Sequence, residues 1–321
     1  MGDDAAVLPT RGDRHLVVTS DMLVDGVHFS IGLANPAVRT TSPADVGWRA
    51  AAANLSDLAA MGAEPLGITV SLGLAPETPV RWLDELYEGM TECLNGYQTP
   101  ILGGDLCRSP ILTLGITALG EVLPTQKILR SVAQPGDAII ATGMHGASRA
   151  GLELLLNPQW GQDLDTEART VLKRAHQRPI PRLDVPPLIW QIDPTCRVAG
   201  MDSSDGLADA VLQICRASGV GAFLWQDRLP IPEAFRQTQA LSEQDGLDWV
   251  LYGGEDFELV LCLPEAIALQ LFPKLGKHAA IIGEIAAEPS VILKDLSGLN
   301  PDQMLSLERG FQHFGDRDSA L

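Results

Sequence analysis

Nine acidic residues of this sequence stand in short clusters bordered by glycine or serine, not along one face of a helix. Asp3 and Asp4 follow Gly2, Asp21 follows Thr19-Ser20, and Asp57 closes Asn54-Leu55-Ser56-Asp57. Asp105 follows Gly103-Gly104, Asp202 and Asp205 lie in Asp202-Ser203-Ser204-Asp205-Gly206, and Glu255-Asp256 follow Gly253-Gly254. Small neighbours let backbone and ligand come close, and crowded carboxylates repel unless something positive sits among them. The fold therefore has to gather distant segments around cations. Several Mg²⁺ ions carrying a polyphosphate meet that demand with oxygen ligands alone.

Composition narrows the partners. A length of 321 residues allows two domains, and 45% hydrophobic with 20% charged residues is ordinary for a folded soluble protein. The net charge of −18 is not ordinary. It argues against nucleic acid and anionic membrane surfaces, which need a basic footprint, and leaves metal ions to supply positive charge at a phosphate site. Five cysteines show no C-x-x-C spacing and sit mostly in apolar stretches such as Leu259-Val260-Leu261-Cys262-Leu263, so buried free thiols are expected, not disulfides or zinc ligands. Met1-Gly2-Asp3-Asp4 opens without a basic segment leading into an apolar one, and no apolar run approaches the ~20 residues of a membrane span. The expected compartment is the cytoplasm, with no membrane partner.

Periodicity predicts a short strand over Leu16–Ser20 that delivers Asp21 at its end. Ser42-Pro43 marks the start of a helix closed by Gly62, and Thr78-Pro79 repeats the device for a helix through Leu83, Leu86, Tyr87 and Met90. Ile101-Leu102 runs into Gly103-Gly104-Asp105 at a strand end, and Ile111 to Glu121 reads as a long strand. Pro124, Pro135 and Gly136 punctuate a polar stretch, which places a domain boundary there and gives domains 1–124 and 125–321. Beyond it, Asp137 to Thr142 reads as a buried strand and Gly143-Met144-His145-Gly146 as a turn into a helix. A helix starts at Ser204 and ends at Gly219, Glu258 to Leu263 is a strand, and the tail from Gly298 is irregular. The expected class is α+β, with mixed α/β layers and no Rossmann sheet.

Each cluster has a structural and a chemical reading. Asp57 lies on an apolar stripe with Val46, Ala50, Ala53 and Met61, where an unpaired carboxylate is costly. A salt bridge, a helix–helix hydrogen bond or a metal would neutralise it. Thr19, Ser20 and Asp21 offer the hard oxygens magnesium prefers, or form a simple turn. Gly103-Gly104-Asp105 combines close backbone approach with a carboxylate, and a tight turn would use the same residues. Asp202 to Gly206 opens a helix, whose free N–H groups and dipole favour an anion, so two aspartates there suit phosphate and Mg²⁺ together, or an N-cap with an extra acid. Glu255 suits a cationic or amine-bearing ligand, or a plain hairpin. His28 lies just downstream of Asp21 and reads either as part of that site or as a surface or packing histidine, and Arg130, after the boundary segment, would meet either a phosphate or only water. No G-x-x-x-x-G-K-[ST] occurs, nor the strand lysine and H-R-D set of protein kinases.

In this order, G-D-D-A-A-V-L, T-S-D-M-L-V-D-G-V-H-F, N-L-S-D-L-A-A-M-G-A, L-G-G-D, L-R-S, D-S-S-D-G-L, G-G-E-D-F-E-L and G-F-x-H-F resemble the thiamine-monophosphate kinases. These share the fold of aminoimidazole ribonucleotide synthetase, selenophosphate synthetase and a hydrogenase maturation protein. The matching stretches run from Gly2 to Phe314. The resemblance implies a two-domain aminoimidazole ribonucleotide synthetase-like fold. Its N-terminal domain would form a dimerising β-sheet or barrel, and its C-terminal α/β domain would complete the groove. It implies direct in-line transfer of the γ-phosphoryl of ATP onto thiamine monophosphate, giving thiamine diphosphate in a Mg²⁺-dependent homodimer. Carried over, Asp4, Thr19, Ser20, Asp21, Asp57, Asp105, Asp202 and Asp205 would hold Mg²⁺, with Asp21 and Asp205 as the catalytic pair. Tyr87, Gly104, Asp105, Arg130 and Ser204 would meet ATP. His28, Glu255 and Phe311 would meet thiamine monophosphate, Phe311 by stacking. Family members usually carry a short, largely helical segment ahead of G-D-D, whereas this sequence opens at that motif. Asp105-Leu106-Cys107 replaces a more usual threonine pair, and Phe311 stands where tyrosine is common. The rival readings are another ATP-dependent enzyme of the superfamily and a non-catalytic Mg²⁺/ATP-binding dimer. A selenophosphate synthetase would have a cysteine before its glycine-rich start, and the maturation enzyme a C-terminal one.

Overall fold

In a computed structural model, residues 3–9, 12–32, 35–298 and 301–310 are described, and their strands form two sheets. The first is built from β1 (Ala6–Pro9), β2 (His15–Val24), α1 (Pro43–Ala60), β3 (Glu64–Leu74), α2 (Val80–Asn95), β4 (Ile101–Arg108) and β5 (Thr113–Val122), in strand order β1-β2-β5-β3-β4. Ser42 starts α1 as expected: its hydroxyl accepts from the Asp45 N–H at 3.2 Å, the Asp45 carboxylate accepts from the Ser42 N–H at 3.3 Å, and Pro43 takes the first position. α1 and α2 cover one face of the sheet, where Val17, Ile68, Val70, Leu114 and Ile116 pack under Val46, Leu55, Leu86 and Met90. The two helices cross where a Cβ on Gly47 would lie 1.9 Å from the Leu86 carbonyl, and one on Gly89 1.8 Å from that of Ala44. Only glycine allows that approach.

Two strands run further than the sequence suggests. β2 continues through Asp21 to Val24, because Asp21 pairs with Ile116 and Val24 with Thr113 in an unbroken ladder with β5. Gly103-Gly104-Asp105 lies within β4, not at its end, since Gly104 and Asp105 pair in parallel with Val70 and Ser71. The sheet stays open, with no closure into a barrel within one chain. Among the described residues its outer face carries no helix, and Met22 there is 62% exposed.

The second sheet follows β6 (Asp137–Ala141), α3 (Ala147–Leu156), α4 (Thr166–Gln177), α5 (Val185–Ile192), β7 (Ala199–Asp202), α6 (Leu207–Ser218), β8 (Gly221–Trp225), α7 (Ala234–Gln237), α8 (Glu243–Tyr252), β9 (Leu259–Pro264), α9 (Glu265–Leu271), β10 (Ala280–Ala286), β11 (Val291–Lys294) and β12 (Gln303–Met304). Its order is β12-β11-β8-β10-β6-β9-β7, antiparallel except for β8 beside β11. α6 and α8 bury one face with Ile139, Met201 and Val260. α5 and α9 bury the other with Ile140, Leu259 and Leu261, which explains the continuous apolar run of β9. The α+β class with mixed layers is thus realised. Four cysteines are buried free thiols; Cys107, on the edge strand β4, is exposed. Among the described residues no helix is long and apolar enough to cross a membrane.

α1 belongs to both halves. Ala59 and Ala60 join the core under α5 and β9, and Arg49 and Ser56, seven residues apart and so nearly aligned on the helix, reach residues of the second half. This docking face brings the acidic clusters together.

Candidate active site

The carboxylates of Asp4, Asp57 and Asp202 each place an oxygen within 4.8 Å of the others. Asp4 precedes β1, Asp57 projects from α1 and Asp202 ends β7, so the trio exists only because α1 spans both sheets. Thr19 Oγ1 donates to Asp57 Oδ2 at 2.5 Å and lies 3.1 Å from the Asp4 carbonyl. Ser56 and Ser204 donate to the two oxygens of Asp202 at 2.6 and 2.9 Å. Arg130 grips Asp4 through Nη2 at 2.8 Å and Nε at 3.3 Å, while its N–H donates to Asp3 at 2.7 Å. Burial first, and then the charge of Asp202, raise Asp4 to about 7 against the pull of Arg130. Burial, with Asp202, Asp21 and Asp4 behind it, holds Asp57 well above the ordinary range. Burial also raises Asp202. Buried, mutually repelling oxygens, with Asp57 and Asp202 held by hydroxyls, fit a hard divalent cation.

Asp21 borders this trio. Its N–H donates to Asn54 Oδ1 at 3.2 Å, and burial followed by the charges of Asp202 and Asp205 raises its carboxyl to about 6. Asp205 stands exposed in the turn before α6, where Gly206 adopts φ +110°. Asp209, in the first turn of α6, is raised to about 6 by burial and then by Asp205.

Other candidates lie elsewhere. Ser20 alternates away from Thr19 and Asp21, and its hydroxyl donates to the Ile116 carbonyl at 3.0 Å on the outer face. Tyr87 packs on α2 against the first core. Asp105 shares a cross-sheet row with Ser71, Gly115 and the exposed Met22, whereas Asp21 shares the next row with Ile116, Val70 and Gly104. Asp21 and Asp105 therefore point to opposite faces, on strands three places apart and so about 14 Å away from each other. Phe311 lies outside the described residues.

The acidic loop before β9 lies beside the Asp202–Gly206 turn. The Glu255 N–H donates to the Ser204 carbonyl at 2.6 Å, which ties it to the Asp202–Gly206 turn. Its carboxylate pairs through Oε1 with the Arg49 guanidinium, and Oε2 lies 3.7 Å from His176 Nδ1. Burial alone would raise Glu255, but Arg49, through its charge and its hydrogen bond, outweighs it and holds the carboxyl below the ordinary glutamate value. Burial and Arg49 push His176 itself down to about 3, so it is neutral near pH 7 and Arg49 is the cation that counts. His28 Nδ1 accepts from the Val24 N–H at 3.1 Å.

Asp256 turns the other way and caps α3, accepting from the N–H groups of Gly146 at 2.6 Å and Ser148 at 2.8 Å. Burial lifts it to about 7 against those two donors. A folded state that holds its proton more tightly than the unfolded chain gains stability that is complete below the ordinary aspartate value of 3.8 and is lost as pH rises through about 7. Asp256→Asn is therefore expected to flatten the fall in unfolding free energy between about pH 4 and about pH 7, by at most ~1.4 kcal/mol per pH unit, the half-buried site letting solvent trim the effect. Urea titrations at both pH values read this directly, and an unchanged slope would show that Asp256 is ionised throughout.

Arg49, His176 and Ser56 drew no functional role from their sequence positions. The available signal was the one that singled out Asp57: a charge amid Ala50-Ala51-Ala52-Ala53 on a helix that has to pack.

Comparison with known proteins accords with this geometry. Residues 2–122 match the model of the AIR synthase related protein N-terminal domain, and residues 134–295 that of the C-terminal domain. The thiamine-monophosphate kinase of Synechococcus elongatus is 52% identical over 316 residues, covering 98% of this chain and 91% of the relative. The solved structure of AaThiL complexed with AMPPCP and TMP superposes with a TM-score of 0.79 at 27% identity, over 95% of this chain and 91% of that one. Thiamine-monophosphate kinase from Stenotrophomonas maltophilia K279a gives a TM-score of 0.77 at 33% identity, over 91% and 89%. The chain belongs to the thiamine-monophosphate kinase family, within the AIR synthase related proteins.

Proposed function

We propose that this protein phosphorylates thiamine monophosphate at the expense of ATP. An oxygen of the acceptor phosphate bonds to the γ-phosphorus, the bond from that phosphorus to the β–γ bridging oxygen breaks, and thiamine diphosphate and ADP leave. The observation that carries this reading is the buried trio Asp4, Asp57 and Asp202, a set of oxygens from three distant segments that are held close despite mutual repulsion. The family's AMPPCP- and TMP-bound neighbour supports the pair of substrates.

In this reading Asp4, Thr19, Ser20, Asp21, Asp57, Asp202 and Asp205 would hold Mg²⁺, although the Ser20 hydroxyl is engaged by the Ile116 carbonyl on the other face. The bound ions neutralise charge on the phosphates and on the phosphoryl group in transfer. The chain's own residues then position the carboxylates. Arg130 fixes Asp4, Ser56 and Ser204 fix Asp202, and Asn54 fixes the backbone of Asp21, so the carboxylates have no freedom to reorganise during transfer. Asp21 and Asp205 flank the point of transfer. Tyr87, Gly104, Arg130 and Ser204 serve ATP, and His28, Glu255 and Phe311 serve the thiamine end. We place the domains at 1–124 and 125–321, which divides the two sheets, and the protein in the cytoplasm.

We also propose a homodimer through the bare outer face of the first sheet. Asp105 lies on that face and on the edge strand, away from Asp21 of its own chain, so it joins the ATP site of the partner subunit.

Purified protein with ATP, Mg²⁺ and thiamine monophosphate is expected to form thiamine diphosphate and ADP in equal amounts, read by chromatography. Tight Mg²⁺–ATP binding without turnover would overturn the kinase reading in favour of a binding protein.

A further inference from the structure

Arg49 is a charged residue only 1% exposed, followed on α1 by the buried run Ala50–Ala53. A guanidinium taken out of water is costly unless its partners satisfy it. Its partners are all in the second half of the chain: the Glu255 carboxylate, the His176 carbonyl, and the Phe257 ring with its centroid 6.0 Å from Cζ. The loop it grips is unusual. Gly254, Glu255 and Phe257 adopt φ of +65°, +60° and +52°, and left-handed backbone at two bulky residues persists only where the surroundings impose it. The Ser204 carbonyl holds that loop by its main chain and Arg49 holds it by its side chain. The Glu255 side chain nevertheless keeps 33% of its surface exposed. Neutral His176 supplies no charge here, and it is itself placed by Ser148, whose hydroxyl lies 3.2 Å from Nδ1.

We propose that Arg49 is a positioning residue for acceptor recognition: anchored in the first half of the chain, it fixes the direction in which Glu255 presents its carboxylate to the thiamine end of the substrate. This rests on the kinase reading above, and it predicts a specific kinetic split. Without Arg49 the Glu255 side chain swings and the acceptor binds poorly, whereas the Asp4–Asp57–Asp202 cluster and the ATP end are untouched.

The test measures wild type, Arg49→Lys, Arg49→Met, Glu255→Gln and the double variant Arg49→Met/Glu255→Gln. Arg49→Met is expected to raise KM for thiamine monophosphate at least ~10-fold, with kcat and KM for ATP within about threefold of wild type. Arg49→Lys, which keeps the charge but loses the two-ended grip, falls between, at ~3- to 10-fold. On a Glu255→Gln background, Arg49→Met should add less than about threefold, because both changes remove the same contact. A rise in KM for ATP in step with that for the acceptor, or effects that multiply in the double variant, would overturn the proposal and leave Arg49 a structural strut. If Arg49→Met does not fold, Arg49→Lys decides: acceptor KM unchanged from wild type overturns it. No turnover of thiamine monophosphate by wild type would sink the kinase reading and this inference together, whereas wild-type turnover without the split sinks this inference alone.

Discussion

Asp57→Asn is expected to reduce turnover by at least ~10²-fold while leaving the metal-free protein as stable as wild type, or more so. The substitution preserves shape and keeps an oxygen for the Thr19 hydroxyl, which now donates at 2.5 Å. What it removes is a charge that burial and three neighbouring aspartates already disfavour. Without a cation that charge is a liability; with Mg²⁺–ATP it is what holds the transferring group in place. The two effects therefore carry opposite signs, and a destabilising packing defect would not reproduce them. Thermal melts in chelator and in excess Mg²⁺ provide the second readout: wild type should gain stability on adding the metal by mass action, and the variant should gain much less. Asp202→Asn should lose activity to a similar extent, with its two serine partners left to reorient. Near-wild-type rates in either variant would remove that residue from the metal site.

Asp57 was legible in the sequence because helix periodicity is local: five positions suffice to show a carboxylate on a packed stripe. The Ser42-Pro43 start and the apolar β9 were legible for the same reason. Asp21 and Asp105 were harder. Each, from its neighbours alone, reads as the end of a strand; whether the strand stops or pairs on depends on β5 and β3, whose registers no local pattern reveals. Period-two alternation also separates Ser20 from Thr19 and Asp21, a distinction available only once Asp21 is known to lie within a strand. Arg49 and Glu255 meet across the junction between the two halves, so their pairing belongs to tertiary structure alone. The loop that presents Glu255 uses left-handed backbone at non-glycine positions, for which sequence offers no signature.

The placement of Asp105 leads to the other large effect, which concerns activity regained. Taken separately, Asp57→Asn and Asp105→Asn homodimers are each expected to be nearly inactive, since every site would lack one carboxylate. If Asp105 completes the partner subunit's site, a mixed dimer contains one site with both lesions and one with neither. Random reassortment of equal amounts makes about half of all dimers mixed, each with one intact site of two, so activity should return to about a quarter of wild type. A residue that acted within its own chain would leave every site damaged, and mixing would restore nothing. The geometry favours the first outcome. Asp105 sits on the outer face in the row of Ser71 and Gly115, on the edge strand of a sheet whose other face is sealed by α1 and α2. No rotamer of a side chain that short spans three strands and passes through the sheet to reach Asp21. Co-expression of the two variants with different tags, tandem purification of the mixed dimer and a rate measurement on it alone would sharpen the figure to about half of wild type per dimer. A mixed dimer as inactive as its parents would return Asp105 to the site of its own chain, and an Asp105→Asn homodimer as active as wild type would leave β4 as an interface strand only.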